Sequence, residues 1–158
     1  MKNFRFYERP GLDAKVGIAF NGKYFALYFP SMGSSPRTGK PNVRRNPDRY
    51  RLHKAMVGTL CDAGAIETKL DNLVVQFYAA GSKPKGKKYQ SVKKVDRADL
   101  YNSSPSDIPG HGNYAYTLYL ESFKLVRGFS NDEQCDSLAS YLGLESAKSA
   151  RPIAVRWI

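Results

Sequence analysis

The amino-acid sequence predicts an α+β fold built mainly on an antiparallel sheet. Alternating apolar residues flank Asn21-Gly22, and an Asn-Gly pair in that setting is a strong local signal for a β-hairpin. Residues 47–63 repeat apolar side chains at helical spacing, and Ser130 followed by Glu133 is a capping box that begins a second helix. Strand-like segments before, between and after these two helices complete the pattern.

The N-terminal part of the chain predicts three consecutive strands. Apolar residues alternate with polar ones at residues 4–7, and residues 14–20 and 23–29 form the two arms of the hairpin. A two-residue turn at the Asn-Gly pair fixes the register and places Lys15 opposite Tyr28.

This register assigns the hairpin side chains to two faces. One face carries apolar side chains and is predicted to face the core: Val16, Ile18, Phe25 and Leu27. The other face carries Lys15, Tyr24 and Tyr28, with only glycine and alanine between them. We expect the two tyrosine rings to be partly exposed and to stack on bases. The alternative is that a helix covers this face.

The remaining elements follow from helix-ending and turn-forming residues and from the spacing of apolar side chains. Pro47 is a natural first helical residue, and Gly64 is a natural cap at the end of that helix. Residues rich in Pro, Gly and Ser predict loops at 30–46 and at 98–113. Strands are predicted at 73–79, 87–95, 114–126 and 153–158, and the second helix is predicted to reach about residue 142.

The resulting element order is β-β-β-α-β-β followed by β-α-β. The first part resembles the element order of the OB-fold, a five-stranded barrel that binds oligonucleotides. An open antiparallel sheet gives nearly the same order, so both architectures remain as alternatives. We predict one domain over residues 1–158, with a basic nucleic-acid-binding core at 1–97 and a C-terminal extension at 98–158 packed on it.

Composition indicates a polyanionic partner. The 158 residues carry a formal net charge of +11, a pI near 9.7, and 13% aromatic residues, including eleven tyrosines. Residues 1–60 hold twelve basic and three acidic side chains, whereas residues 98–158 hold five and seven. A basic, tyrosine-rich chain is typical of proteins that bind single strands. We therefore expect the first hundred residues to build a nucleic-acid site.

Two basic clusters, at residues 37–54 and 83–97, supply most of the predicted site. Arg49 and Arg51 fall in the first helical turn, where the helix dipole disfavours cations and a bound phosphate would favour them. Arginine predominates in the first cluster and lysine in the second, so we expect closer phosphate contacts from the first. The predicted nucleic-acid-binding residues are Lys15, Tyr24, Tyr28, Arg37, Lys40, Arg44, Arg45, Arg49, Arg51, Lys83, Lys85, Lys87, Lys88, Tyr89, Lys93 and Lys94.

Metal and thiol chemistry receive little support. Cys61 and Cys135 lie far apart in helix-like segments and form no metal-type pattern with His53 or His111, so we expect two reduced thiols and neither a metal nor a cofactor. The sequence shows neither an apolar signal core at its start nor an apolar run long enough to span a membrane, and we expect a cytoplasmic protein.

The main prediction is sequence-non-specific binding of single-stranded nucleic acid, without catalysis. Two other functions remain as alternatives. A small basic protein of a phage or plasmid could bind a protein partner, as an inhibitor or a virion component, or form a homo-oligomer. Glu67-Thr68-Lys69 has the E-x-K form of metal-dependent nucleases and resolvases, and Asp62 or Asp71 could supply a second carboxylate.

Overall fold

A computed structural model describes residues 3–30, 47–65, 90–95, 98–102, 116–148, 150–155 and 157. Within these ranges the chain forms two helices, α1 (Pro47–Asp62) and α2 (Asn131–Tyr141). The strands are β1 (Arg5–Glu8), β2 (Lys15–Phe20), β3 (Tyr24–Phe29), β4 (Gln90–Val95), β5 (Ala98–Asn102), β6 (Tyr116–Glu121) and β7 (Glu145–Ser146).

All seven strands belong to one sheet, in the order β4-β5-β6-β3-β2-β1-β7. Each neighbouring pair is antiparallel. The chain therefore has an α+β fold with an antiparallel sheet. β4 and β7 stand at the two ends of the described sheet, and no pairing between the described strands closes it into a barrel.

The hairpin is confirmed, but its predicted register is wrong by two residues. Phe20 pairs with Phe25, and Gly17 rather than Lys15 pairs with Tyr28. The turn is centred on Gly22, whose φ is 97°, and Lys23. The side-chain oxygen of Asn21 causes this shift, because it accepts hydrogen bonds from the backbone N–H groups of residues 23 and 24 at 2.9 and 2.8 Å.

A shift of two residues leaves every side chain on its predicted face, because strand side chains alternate with a period of two. The apolar face lies in the main core, as predicted. Both helices pack on this face. α1 contributes Leu52, Met56, Val57 and Leu60, and α2 contributes Cys135, Leu138 and Ala139.

The opposite face is covered as well, and here the predicted exposure of Tyr28 is wrong. The Tyr28 side chain is 0% exposed and packs with Phe4, Ala19, Ala26 and Tyr119. Among the described residues, the cover is not a helix. The Phe4 and Phe6 rings contact Tyr28, and the half-buried side chains of Ile153, Val155 and Trp157 in the C-terminal segment pack against the same cluster. Tyr24 is half-buried.

Both predicted helices are confirmed together with their ends. After α1, Gly64 has a φ of 74° and the Ala65 N–H donates to the Leu60 carbonyl at 2.9 Å, which is a Schellman ending. Before α2, the Ser130 hydroxyl accepts from the Glu133 N–H at 3.2 Å, and the Glu133 carboxylate accepts from the Ser130 N–H at 3.1 Å.

Other boundaries differ from the prediction. Residues 98–102 form β5 rather than a loop, and within the described residues the strand expected at 114–126 is limited to β6. The strand expected at 153–158 is reduced, within the described residues, to one bridge between Asn3 and Ala154. The strand expected at 73–79 lies outside the described residues, as does the loop expected at 30–46 except for Pro30.

The C-terminal third is part of the sheet. β6 lies between β3 and β5, and β7 adds to β1 at one end. The predicted extension therefore contributes strands to the same sheet as the basic N-terminal strands. Whether residues 1–158 form a single domain stays a prediction.

Candidate functional site

The predicted site residues divide into three groups. Nine of them lie outside the described residues: Arg37, Lys40, Arg44, Arg45, Lys83, Lys85, Lys87, Lys88 and Tyr89. Lys93 and Lys94 belong to β4, at one end of the described sheet. The remaining five can be located in full: Lys15, Tyr24, Tyr28, Arg49 and Arg51.

Three of these five line a common cleft of about 290 Å³. Lys15 lies at the start of β2, Tyr28 lies near the end of β3, and Arg49 lies in the first turn of α1. Among the residues that the structure describes, the lining consists of Phe6, Glu8, Asp13, Ala14, Lys15, Tyr28, Pro30, Arg49, Ala150, Arg151 and Ile153.

Strand pairing shows which side of the sheet the cleft occupies. Phe6 pairs with Gly17, which in turn pairs with Tyr28, and Glu8 pairs with Lys15. Paired residues point to the same face, so these cleft residues all lie on the face opposite the two helices. Arg49 reaches the cleft from α1, at the edge of the helical layer.

A backbone-to-carboxylate hydrogen bond ties the start of α1 to the start of β2. The Asp13 N–H donates to the Asp48 carboxylate at 3.0 Å. Because Asp13 is two residues before Lys15 and Asp48 is adjacent to Arg49, this contact brings the two cations toward the same cleft.

Arg151 is a site residue that the sequence analysis missed. It lines the cleft because the C-terminal segment returns to the sheet, where the Phe4 N–H donates to the Ile153 carbonyl at 2.9 Å. The C-terminal third has no excess of basic residues, so charge along the sequence does not point to a site residue there. No local pattern around Arg151 indicates its spatial neighbours, so only the path of the chain end reveals its position.

Among the described lining residues, the cleft combines three cations with two carboxylates over an aromatic floor. Lys15, Arg49 and Arg151 supply the positive charges, and Glu8 and Asp13 the negative ones. Burial raises the pKa of Tyr28 well above its usual range, and the charge of Arg49 opposes only part of that rise. Tyr28 therefore stays a neutral phenol near pH 7.

The other two described site residues lie elsewhere. Arg51 is exposed and pairs with Asp48 at 3.3 Å. Tyr24 is four residues before Tyr28 on β3, which is roughly 13 Å along a strand. The Lys23 ammonium lies 5.3 Å from the centre of the Tyr24 ring. The structure thus brings together three of the five located residues and leaves Arg51 and Tyr24 outside the cleft.

The histidine and thiols of the described residues do not line this cleft: His53 and Cys135 are buried, and Cys61 is half-buried against the core. His53 packs edge-on against Phe29 at 4.8 Å between ring centres, and burial lowers its pKa to about 4. Burial likewise raises the pKa of Cys135 to about 12, and both cysteines are free thiols. No group of three or more His, Cys, Asp or Glu side chains that could hold a metal occurs among the residues described.

Comparison with known proteins returned no relative. The chain matches no family model, no curated protein and no solved structure at a significant level. In the part of the chain that is described, neither α1 nor α2 has the length and apolar character needed to cross a bilayer. Glu67 and Lys69, on which the nuclease alternative depends, lie outside the described residues.

Proposed function

We propose that this protein binds nucleic acid through its phosphates, without catalysis, and that the cleft is the organised part of the binding surface. The observation that carries the proposal is the convergence of Lys15, Arg49 and Arg151 from three distant parts of the chain. Each cation belongs to a different element, so their meeting is a property of the fold rather than of one basic run of sequence.

Electrostatics supports an anionic ligand at this position. Among the described lining residues the three cations outnumber the two carboxylates, so the cleft favours an anion. Arginine binds phosphate oxygens in pairs, and lysine adds a point charge. Phosphate contacts position a nucleic acid without reading its bases, which fits sequence-non-specific binding.

The single-strand preference, the OB-like topology and the cytoplasmic location belong to the same proposal. The order of three strands followed by α1, within one antiparallel sheet, is compatible with an OB-like core. The half-exposed ring of Tyr24 remains available for base stacking, whereas Tyr28 does not.

The test is oligonucleotide binding by fluorescence anisotropy, with oligo-dT, oligo-rU and a duplex at two salt concentrations. If about five or six phosphates are contacted across the whole basic surface, the log–log salt slope on a single strand is near −4. Replacing Arg49 or Arg151 with alanine should weaken binding about tenfold and reduce the slope by about 0.7.

Arg127→Ala is the matched control, because Arg127 is an exposed arginine that does not line the cleft. It removes the same charge and should change affinity far less than Arg49→Ala. Equal losses from the cleft and control variants would show a diffuse field without a site, and a flat salt response would contradict phosphate binding altogether.

Binding of a protein partner is a second candidate, and a different surface favours it. Leu125, Val126, Phe129 and Tyr141 are large apolar side chains exposed by 36–44%. Exposed apolar side chains of this size are typical of contact surfaces when they form a patch. Substitutions here should leave oligonucleotide affinity unchanged, which separates the two candidates.

A further inference from the structure

We propose that the cleft holds one nucleotide with a terminal phosphate, either a free nucleoside monophosphate or the 5′-phosphorylated end of a strand. This inference rests on the proposed function and specifies its ligand. It differs from the general expectation for a strand-binding groove, in which a run of internal phosphates passes along a basic surface.

The size of the cleft supports a single small unit. Its volume of about 290 Å³ is at the lower end of the range of roughly 300–1,000 Å³ that is typical of small-molecule pockets. A cleft of this size has room for one small ligand and not for several consecutive nucleotides.

The mixed charge of the lining argues against a passing strand. Glu8 and Asp13 share the cleft with the cations, and each would repel the next phosphate of a strand crossing it. Such repulsion acts over about 8–10 Å at ordinary ionic strength. For one nucleotide the carboxylates are useful instead, because they accept hydrogen bonds from sugar hydroxyls and from exocyclic amines.

The three cations match a terminal phosphate better than an internal one. A phosphate monoester carries a charge of about −1.5 to −2 and three strong acceptor oxygens, whereas an internal diester carries a single charge. Lys15, Arg49 and Arg151 approach from β2, α1 and the C-terminal segment. Donors from three directions suit a group with three free oxygens.

An aromatic side chain is present for the base. Phe6 lines the cleft, is half-buried, and meets the buried Tyr28 ring edge-on at 6.3 Å. Phe6 is therefore the cleft ring that a base would contact, with the phosphate toward the cations.

The test is competition against a labelled 5′-phosphorylated oligonucleotide bound to the full chain. The competitors are the same oligonucleotide without its 5′-phosphate, a nucleoside monophosphate, and inorganic phosphate. We expect the phosphorylated oligonucleotide to bind at least tenfold more tightly than the unphosphorylated one. The monophosphate should displace it at lower concentration than inorganic phosphate.

Two variants test whether the cleft is responsible for the preference for a 5′-phosphate. Arg151→Ala should abolish the difference between phosphorylated and unphosphorylated oligonucleotides, whereas Arg127→Ala should retain it. Melting temperatures of both variants, measured alongside, should stay close to that of the unmodified protein, because both arginines are exposed.

The outcomes separate this inference from the proposed function. Equal binding of the two oligonucleotides, without displacement by the monophosphate, would overturn the inference and leave nucleic-acid binding in place. If inorganic phosphate displaces the oligonucleotide as effectively as the monophosphate does, the cleft is a simple anion site. That result would also overturn the inference. Failure of both oligonucleotides to bind would contradict the proposed function, and this inference with it.

Discussion

Tyr28 shows how the face of a residue and its exposure are set by different parts of the chain. Its face follows from alternation along β3 and is predicted correctly. Its exposure depends on segments outside β3. The Phe4 and Phe6 rings pack against it, and the C-terminal segment, more than a hundred residues away in sequence, packs against the same cluster. A base cannot reach a side chain that is 0% exposed, so Tyr28 acts in the cleft only as part of its floor.

The first prediction compares the two hairpin tyrosines. Tyr28→Ala should lower the free energy of unfolding by about 3–5 kcal/mol, because it opens a cavity among buried rings. Tyr24→Ala should change it by less than about 1 kcal/mol, because Tyr24 is half-exposed at the end of the strand. Urea unfolding of both variants is the measurement, and equal losses would contradict the packing described here.

His53 makes stability depend on pH. Its pKa is about 4 in the folded protein and about 6.5 when unfolded, so the unfolded state binds more protons between these values. The contribution of neutral His53 is therefore complete above about pH 6.5, and it is lost as pH falls toward 4.

We expect the free energy of unfolding to fall by about 2 kcal/mol between about pH 7 and pH 5 through this residue alone. His53→Leu, which cannot titrate, should remove that part of the pH dependence while leaving the part due to carboxylates. Urea unfolding at several pH values measures both proteins, and parallel curves for the two would show that His53 does not carry the effect.

At the scale of elements, a polar cluster fixes α2 to β1. The Tyr7 hydroxyl donates to the Asp136 carboxylate at 2.6 Å and accepts from Arg5 Nε at 3.2 Å. Arg5 also contacts the carboxylates of Asp132 and Asp136, each at 3.3 Å. Burial and the neighbouring Asp136 raise the pKa of Tyr7, so the phenol keeps its proton and donates.

This cluster predicts unequal roles for the two aspartates. Asp136→Ala removes the acceptor of a largely buried phenol and should cost about 1–3 kcal/mol. Asp132→Ala removes one exposed ion pair and should cost less than about 1 kcal/mol. Denaturant unfolding of the two variants gives the comparison, and a larger loss from Asp132→Ala would contradict the assigned roles.

The packing of β1 on β2 also depends on one glycine. A Cβ atom on Gly17 would lie 2.8 Å from the Phe4 Cβ, closer than side-chain carbons approach. The absence of a side chain at Gly17 lets Phe4 lie over the sheet and join the cluster around Tyr28. The small residues of this hairpin face were expected to leave room for a base, and at Gly17 that room is filled by the Phe4 ring of the same chain.

In the whole molecule, the basic N-terminal part and the acidic C-terminal third are not separated in space. β6 and β7 of the acidic C-terminal third lie in the same sheet as the basic N-terminal strands. Arg151 joins Lys15 and Arg49 at the cleft, while Asp132 and Asp136 of α2 pair with Arg5 on the opposite face. The candidate site is therefore assembled from both ends of the chain.

Local patterns in the sequence predicted the elements whose signals act over a few residues. The hairpin faces, both helices, the capping box and the Gly64 ending are of this kind, because they depend on alternation, helical period and backbone hydrogen bonds between near neighbours. The predicted hairpin register was wrong although its signal is also local, because the Asn21 side chain accepts from the Lys23 N–H that a turn over Asn21-Gly22 would use.

Long-range packing decided the features that depend on which segments of the chain come into contact. The insertion of β6 beside β3, the packing of the C-terminal segment on the Tyr28 cluster and the approach of Arg151 to the cleft all join residues separated by eighty or more positions. Such contacts form because apolar surface on each face of the sheet must be buried by some part of the chain. Composition and period show that a face needs a cover, but they do not show which segment supplies it.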